Sequence, residues 1–179
     1  MNLGLLLALS GVAISVFVSG IGSARGVAIV GKAGAGVVAE DPEKFSQVLP
    51  LQALPGTQGI YGFLIGFIIL IRLNIFGELA EISTSGGLMM LIGSLPIAIV
   101  GLISAILQAK VSAAGIGIIA KKPEELGKAI TFSVIVETYA VLALLASFLI
   151  VFFVYPGLHR LIGVIEDVIS GRKDDCTRG

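Results

Sequence analysis

The sequence predicts an all-α membrane protein whose four transmembrane helices form a duplicated helical hairpin. Three observations predict this fold: the composition is apolar, the apolar residues form four long segments, and the second half of the chain repeats the first. Of the 179 residues, 56% are hydrophobic and 13% are charged, whereas a soluble domain carries about 25% charged residues. This apolar composition predicts membrane lipid as a partner, and with a formal net charge of zero we expect no nucleic acid.

Each of the four apolar segments is long enough to cross a hydrocarbon core, which takes about 20 helical residues. They cover approximately residues 3–30, 45–71, 86–119 and 129–154. Their length favours helices over the strands of a membrane barrel, which need only about 9–11 residues. The first segment lacks the basic start of a secretory signal, so we expect it to remain in the mature protein.

One short polar turn joins the two helices of each hairpin, and both turns contain a proline that interrupts the helix. They lie at about residues 40–44 and 121–125. With four spans, both turns fall on one side of the membrane and both termini on the other. Lysines concentrate near the turns, so the positive-inside tendency predicts a multi-pass protein of the cell membrane with cytoplasmic proline turns.

An offset of 81 positions aligns the second half of the chain with the first. The clearest match is the pattern Ala-x-x-Pro-Glu at residues 39–43 and 120–124. The repeat predicts a first hairpin at residues 1–81 and a second at residues 82–155. Residues 156–179 then form a tail, whose apolar residues at helical spacing predict an amphipathic helix at the membrane interface before a polar end.

Small residues recur at three- and four-residue steps on the first and third spans, which places them on one face of each helix. The two sets are Gly20, Ser23 or Ala24, Ala28, Gly31 and Ala35, and Gly101, Ser104 or Ala105, Ala109 and Ala113. Such faces allow helices to pack closely within one molecule. They equally suit an arrangement in which these two spans form the crowded inner wall of a ring.

Glu137 breaks the repeat, because its partner in the first hairpin is Gly56. It is the only acidic residue inside a predicted span, and no Lys or Arg lies at matching depth in the second or fourth span. An acidic residue at the centre of a membrane helix costs about 2.5–3.5 kcal/mol on insertion scales, so such residues are candidates for function. The alternative is a carboxyl group that remains neutral by burial.

Oxygen-bearing groups on the second and third spans indicate what Glu137 binds. They are the side chains of Thr57, Gln58, Tyr61 and Gln108. Pro55, beside Gly56, removes a backbone donor and disturbs its helix, which leaves carbonyl oxygens available. Together these groups offer the oxygens that a small hard cation prefers. Hydrogen bonding between helices is the other explanation of the polar side chains.

Three sequence elements resemble the membrane rotor subunit (the K subunit, or proteolipid) of V-type rotary ATPases, most of all its bacterial sodium-translocating form. They are Leu54–Gly62, Gln108 and Val136–Ala140, and the resemblance covers roughly residues 8–154. It implies that Na⁺ is bound by the Leu54 carbonyl, by the side chains of Thr57, Gln58 and Gln108, and by the Glu137 carboxylate. It also implies that Tyr61 orients Glu137.

The same resemblance implies a ring of identical copies, a stator membrane subunit with half-channels, and central-stalk subunits at the cytoplasmic turns. The chain then carries Na⁺ in a complex that couples ion transport to ATP hydrolysis or synthesis. We expect it to catalyse no reaction itself and to need no cofactor. Two alternatives remain: the same ring carrying H⁺, and a small secondary transporter for cations.

Overall fold

The structure, a computed structural model, describes residues 2–77 and 81–154. Four helices in these residues are long and apolar enough to cross a membrane. They are α1 (Leu3–Glu40), α2 (Pro42–Arg72), α3 (Thr84–Lys121) and α4 (Pro123–Phe153). The predicted all-α fold of four spans is therefore confirmed. The interface helix predicted within residues 156–179 lies outside the described residues.

All four helices are longer than the spans that the sequence predicted, and α1 and α3 are the longest. α1 continues past residue 30 to Glu40, because no residue before the Asp41–Pro42 pair stops a helix. α1 and α3 each contain 38 residues, which is about 57 Å of helix. Both therefore project well beyond a hydrocarbon core of about 30 Å.

α2 and α4 each contain short segments of different helical geometry. In α2 these are the 3₁₀ turns Pro42–Lys44 and Leu54–Gly56, which flank the α-helical segment Phe45–Ala53 and precede Thr57–Arg72. α4 begins with the 3₁₀ turn Pro123–Glu125, continues as Leu126–Leu149 and ends in the π-helical turn Ile150–Val154.

Contacts at each end of the bundle fix the topology. At one end the two proline turns meet, because Lys44 Nζ donates a hydrogen bond of 2.6 Å to the Ala120 carbonyl. At the other end Asn2 Nδ2 donates to the Ile82 carbonyl at 3.2 Å. Asn2 also begins α1, since its side-chain oxygen accepts the Leu5 N–H at 2.8 Å. Both proline turns thus share one end of the molecule, as predicted.

α1 and α3 pack against each other along their length through small residues. A Cβ atom added to Gly22 would lie 2.6 Å from Leu102 Cα, so only glycine allows this approach. The buried small residues of α1 are Gly4, Ala8, Gly11, Ser15, Ser19, Gly22, Ser23, Gly26 and Gly34. This close approach accounts for much of the glycine content of the chain.

The face of α1 that packs inside the chain differs from the one expected. Ser23 is buried, but Ala24, Ala28 and Ala35 are exposed, and a Cβ added to Gly20 would meet nothing within 4 Å. Packing within one molecule therefore explains Ser23 and Gly31, which lies against Gln52, but not Ala24, Ala28 and Ala35. It is right for the second set, since Gly101, Ser104, Ala105 and Ala109 are all buried in α3. Both faces of α1 carry small residues at helical spacing, so the spacing alone does not predict which face packs inside the chain.

Two apolar clusters form the core, and a polar layer separates them. One cluster, which includes Ile69, Met90 and Val151, lies towards the end that holds the N-terminus. The other, which includes Val30, Leu51 and Ile119, lies towards the proline turns. The buried polar side chains between them include Ser23, Gln58, Ser104 and Gln108.

Candidate ion-binding site

The break in α2 at Leu54–Gly56 positions the polar residues that follow it. Pro55 is buried against α1, where its Cβ lies 2.7 Å from the position that a Cβ added to Gly26 would take. The Ser23 hydroxyl of α1 accepts the Gly59 N–H at 2.7 Å. α1 therefore holds both sides of the break, and Thr57 and Gln58 lie between these two contacts.

The Leu54 carbonyl, which the resemblance implies as a ligand, is not free of hydrogen bonds. It accepts the backbone N–H of Thr57 and, at 3.0 Å, the Thr57 hydroxyl. The 3₁₀ turn thus uses the carbonyl locally. The Leu54 carbonyl can contact a cation only after the Thr57 hydroxyl rotates so that its hydrogen no longer points at the carbonyl oxygen. The Thr57 N–H remains bonded to the carbonyl in that arrangement.

The Glu137 carboxylate accepts hydrogen bonds from two different helices. Tyr61 of α2 donates its hydroxyl to Oε1 at 2.7 Å, and Gln108 of α3 donates Nε2 to Oε2 at 3.3 Å. Among the described residues, the ion pairs are Lys44–Asp41 and Lys128–Glu125, and neither includes Glu137. The half-buried carboxylate is therefore held by neutral donors rather than by a basic side chain.

Two glutamine side chains form a fully buried amide pair beside the carboxylate. Gln58 Nε2 donates to Gln108 Oε1 at 2.5 Å, and both side chains are 0% exposed. Gln58 Oε1 has no hydrogen-bond partner in the described part of the chain. An unpaired buried amide oxygen costs about 1–3 kcal/mol, so it is a ready acceptor for a donor or a cation.

The structure brings together most of the residues that the sequence singled out. Continuous hydrogen bonds connect Gln58, Gln108, Glu137 and Tyr61. Leu54 and Thr57 contact each other immediately before Gln58, at the break made by Pro55 and Gly56. The arrangement offers one carboxylate and several neutral oxygens, which is the set that suits a hard monovalent or divalent cation.

The site opens sideways, towards the outer surface of the helix bundle. Glu137 and Tyr61 lie in an open groove between α2 and α4 with the apolar side chains of Val134, Val141 and Leu142. The glutamines lie behind them in the core. A ligand or partner can thus reach the carboxylate from the outer surface of the bundle.

Several serines near the site were not predicted as part of it. Ser104 donates to the Val136 carbonyl at 3.2 Å, and the Ser112 and Ser133 hydroxyls lie 2.5 Å apart. The sequence carried a signal for them, because Ser104 and Ser112 lie four residues on either side of Gln108, on one helix face. A serine in an apolar helix equally suits close packing, which is the role that the sequence predicted for Ser104.

Comparison with known proteins identifies the fold. The family model that describes the C subunit of ATP synthase matches residues 10–69 and again residues 91–150. The two matches are displaced by 81 positions, which is the offset of the predicted repeat. The chain belongs to this ATP synthase family. The duplication predicted from the sequence is therefore confirmed.

Two curated relatives narrow the assignment within this family. The chain is 51% identical to the V-type sodium ATPase subunit K of Enterococcus hirae over 150 residues, which are 84% of this chain and 93% of that protein. It is 40% identical to the A-type ATP synthase subunit K of Methanocaldococcus jannaschii over 153 residues. This alignment covers 86% of the chain and 65% of that relative. The predicted resemblance to the K subunits of V-type ATPases is confirmed.

Proposed function

We propose that this chain is the Na⁺-carrying rotor-ring subunit of a V-type ATPase. In this proposal Na⁺ binds to the Leu54 carbonyl, the Thr57 hydroxyl, the amide oxygens of Gln58 and Gln108, and the Glu137 carboxylate. The observation that carries the proposal is the unpartnered Gln58 Oε1, which is fully buried beside a carboxylate that no basic side chain among the described residues neutralises.

The number of oxygens favours Na⁺ over H⁺. A proton needs one carboxylate oxygen, whereas a dehydrated Na⁺ needs several oxygens to replace the water that it loses. The Enterococcus relative, which is named a sodium ATPase subunit, supports the same ion. On binding, Na⁺ would take over the oxygens that now accept the Thr57 and Gln58 hydrogen bonds, while Tyr61 keeps its bond to Glu137.

The charge of the site gives the mechanism. One Na⁺ on one ionised Glu137 is neutral overall, so the loaded site can pass lipid at a low cost. The empty, charged site cannot, because a bare carboxylate in hydrocarbon is expensive. The empty site therefore remains beside the half-channels of a stator membrane subunit, where a basic partner compensates it. The open groove at Glu137 and Tyr61 gives such a partner access to the carboxylate.

The rest of the complex follows from the two ends of the bundle. Identical copies form the ring, and the chain itself catalyses nothing. The joined proline turns form one cytoplasmic surface for the central-stalk subunits, with Lys44 holding them together. Both termini then lie on the opposite side of the membrane. ATP hydrolysis elsewhere in the complex turns the ring, or an ion gradient drives it in reverse.

Labelling of Glu137 by a carboxyl-reactive carbodiimide tests the proposal in membranes that contain the assembled complex. The reagent attacks the protonated, accessible carboxyl group, so a bound ion protects it. We expect protection by millimolar or lower Na⁺ and none by the same concentration of K⁺. Labelling that depends on pH alone would overturn the Na⁺ assignment and indicate a ring that carries H⁺.

A further inference from the structure

A pair of buried hydroxyl groups joins α3 to α4 next to the candidate ion site. Ser112 Oγ and Ser133 Oγ lie 2.5 Å apart, and both residues are 0% exposed. Ser112 is four residues from Gln108 on α3, and Ser133 is four residues from Glu137 on α4. The pair therefore lies one helical turn from the site, on the side of the proline turns.

Ser133 also makes direct contact with the amide of Gln108. Gln108 Nε2 donates to the Ser133 carbonyl and to Glu137 Oε2, each at 3.3 Å. Both amide protons are then used on α4, so Gln108 Oε1 points away from α4, towards Gln58. If α4 shifts relative to α3, Gln108 Nε2 loses the Ser133 carbonyl as an acceptor. This hydrogen bond determines whether Oε1 or Nε2 of Gln108 faces the ion.

Buried serines in a helix need no partner on another helix. Ser94, for example, is 0% exposed and donates to the Leu91 carbonyl of its own helix at 2.7 Å. Ser112 and Ser133 instead bond across the interface between α3 and α4. The contact thus fixes the register of two helices at the level where Gln108 meets Glu137.

The first hairpin shows that close packing does not require this pair. At the offset of 81 positions, Ser112 corresponds to Gly31 and Ser133 corresponds to Gln52. There the Gln52 side chain lies directly over Gly31, and no hydroxyl takes part. The hydroxyl pair therefore occurs in the hairpin that carries the carboxylate and not in its repeat.

We propose that Ser112 and Ser133 are positioning residues that orient the Gln108 amide oxygen towards the bound Na⁺. The inference rests on the proposed function, since it concerns the same ion. The hydroxyl pair holds the Ser133 carbonyl where it accepts Gln108 Nε2, and this bond keeps the amide oxygen on the ion side. The pair thereby sets the affinity for Na⁺ and the preference over Li⁺, which takes fewer oxygen ligands.

The test measures the Na⁺ and Li⁺ concentrations that half-protect Glu137 from carbodiimide in the assembled complex. For Ser112→Ala and Ser133→Ala we expect the Na⁺ value to rise about fivefold, the effect of one buried hydrogen bond. The Li⁺ value rises less, so the preference for Na⁺ narrows. The double variant shifts no more than either single one, because the two hydroxyls act as a pair.

Two further variants separate positioning from general packing. Ser112→Thr keeps the hydroxyl, so the half-protecting Na⁺ concentration should equal that of the wild type. Ser94→Ala removes a buried hydroxyl that bonds within its own helix and should also leave this concentration unchanged. The labelling rate without Na⁺ should match the wild type in Ser94→Ala.

The outcomes separate this inference from the proposed function. Wild-type protection by Na⁺ together with unchanged values in Ser112→Ala and Ser133→Ala would overturn the inference alone. An equal shift in Ser94→Ala would also overturn it, because any lost buried hydroxyl would then have the same effect. If Na⁺ did not protect the wild type at all, both the proposed function and the inference would fall.

Discussion

The two hairpins have the same architecture, yet they contribute different halves of the candidate site. At the offset of 81 positions Thr57 corresponds to Thr138, and each donates its hydroxyl to the carbonyl three residues earlier, at 3.0 and 2.7 Å. Thr57 lies at the site, whereas Thr138 is exposed on the outer surface of α4. Glu137 in turn corresponds to Gly56. One fold, used twice, thus provides the carboxylate of the candidate site from one copy and most of its neutral oxygens from the other.

The hairpins also differ in how closely their helices approach. In the first hairpin Gly62 of α2 packs directly on the side chain of Ser19 of α1. The corresponding residues of the second hairpin are the larger Ala143 and Val100. The first hairpin is therefore the tighter of the two at this level. The two repeats have diverged: the first hairpin is closely packed and contains the helix break at Pro55, whereas the second contains the charged Glu137.

The largest expected effect comes from removing the charge in the second hairpin. Glu137→Gln should abolish Na⁺ binding and ion-coupled ATPase activity, because no other carboxylate lies inside a span. The assay is ATP-driven Na⁺ uptake into vesicles that contain the complex. Thr131→Ala is the control, since Thr131 donates to the Gly127 carbonyl of its own helix. Full coupled transport by Glu137→Gln would refute the division of roles between the hairpins.

Tyr61 is the contact through which the first hairpin reaches the charge of the second. Tyr61→Phe removes the hydrogen bond to Glu137, and bonds to charged groups contribute about 1.5–3 kcal/mol. We expect Na⁺ affinity to fall by a factor of roughly ten to one hundred, measured as the half-protecting concentration against carbodiimide. Tyr139→Phe, which alters an exposed ring next to the site in sequence, should change little. Equal values for both variants would leave Tyr61 without a role in binding.

The closer packing of the first hairpin predicts a difference in stability. Gly62→Ala places a methyl group where Ser19 Oγ and the Ser15 carbonyl lie, and overpacking typically costs about 1–3 kcal/mol. Gly127→Ala is the matched control, because its Cβ would meet nothing within 4 Å. Thermal unfolding in detergent should show a lower midpoint for Gly62→Ala only. A destabilised Gly127→Ala would indicate that helix composition rather than close contact decides the result.

The smallest effect concerns the two serines that occupy equivalent positions in the hairpins. Ser23 accepts the Gly59 N–H and Ser104 donates to the Val136 carbonyl, at 2.7 and 3.2 Å. Ser23→Ala leaves a backbone donor beside the helix break without its acceptor, so we expect a loss of about 1 kcal/mol in unfolding free energy. Ser104→Ala should cost less, since a helical carbonyl also accepts its own backbone donor. The same thermal measurement compares them, and a larger loss for Ser104→Ala would reverse this ranking.

Much of the fold follows from the sequence because it depends on long apolar segments and helix-breaking prolines, which are easy to recognise. Only helices satisfy backbone hydrogen bonds in lipid across such long apolar segments, and the proline turns mark where they end. α1 extends beyond the predicted span of residues 3–30 to Glu40, because helical geometry continues past a membrane boundary until Pro42 stops it. The face of α1 that packs inside the chain was predicted only in part, at Ser23 and Gly31, since exposed and buried faces both carry small residues.

The site was predictable in its parts more than in its connections. Glu137 is conspicuous as an unpaired charge, and Gln58 and Gln108 are conspicuous as amides in apolar helices. Their mutual hydrogen bond joins residues 50 positions apart, and no local pattern encodes such a distance. The contact between Ser112 and Ser133 was missed for the same reason, because a serine at a helix interface has the same sequence signature whether it bonds within its helix or to another helix.

Equilibrium binding of radioactive Na⁺ to the purified complex tests most directly that the two hairpins build one ion site per chain. We predict saturation at one Na⁺ for each copy of this chain in the wild type and no specific binding in Glu137→Gln. Saturation at two Na⁺ per chain, or unchanged binding in Glu137→Gln, would contradict the account.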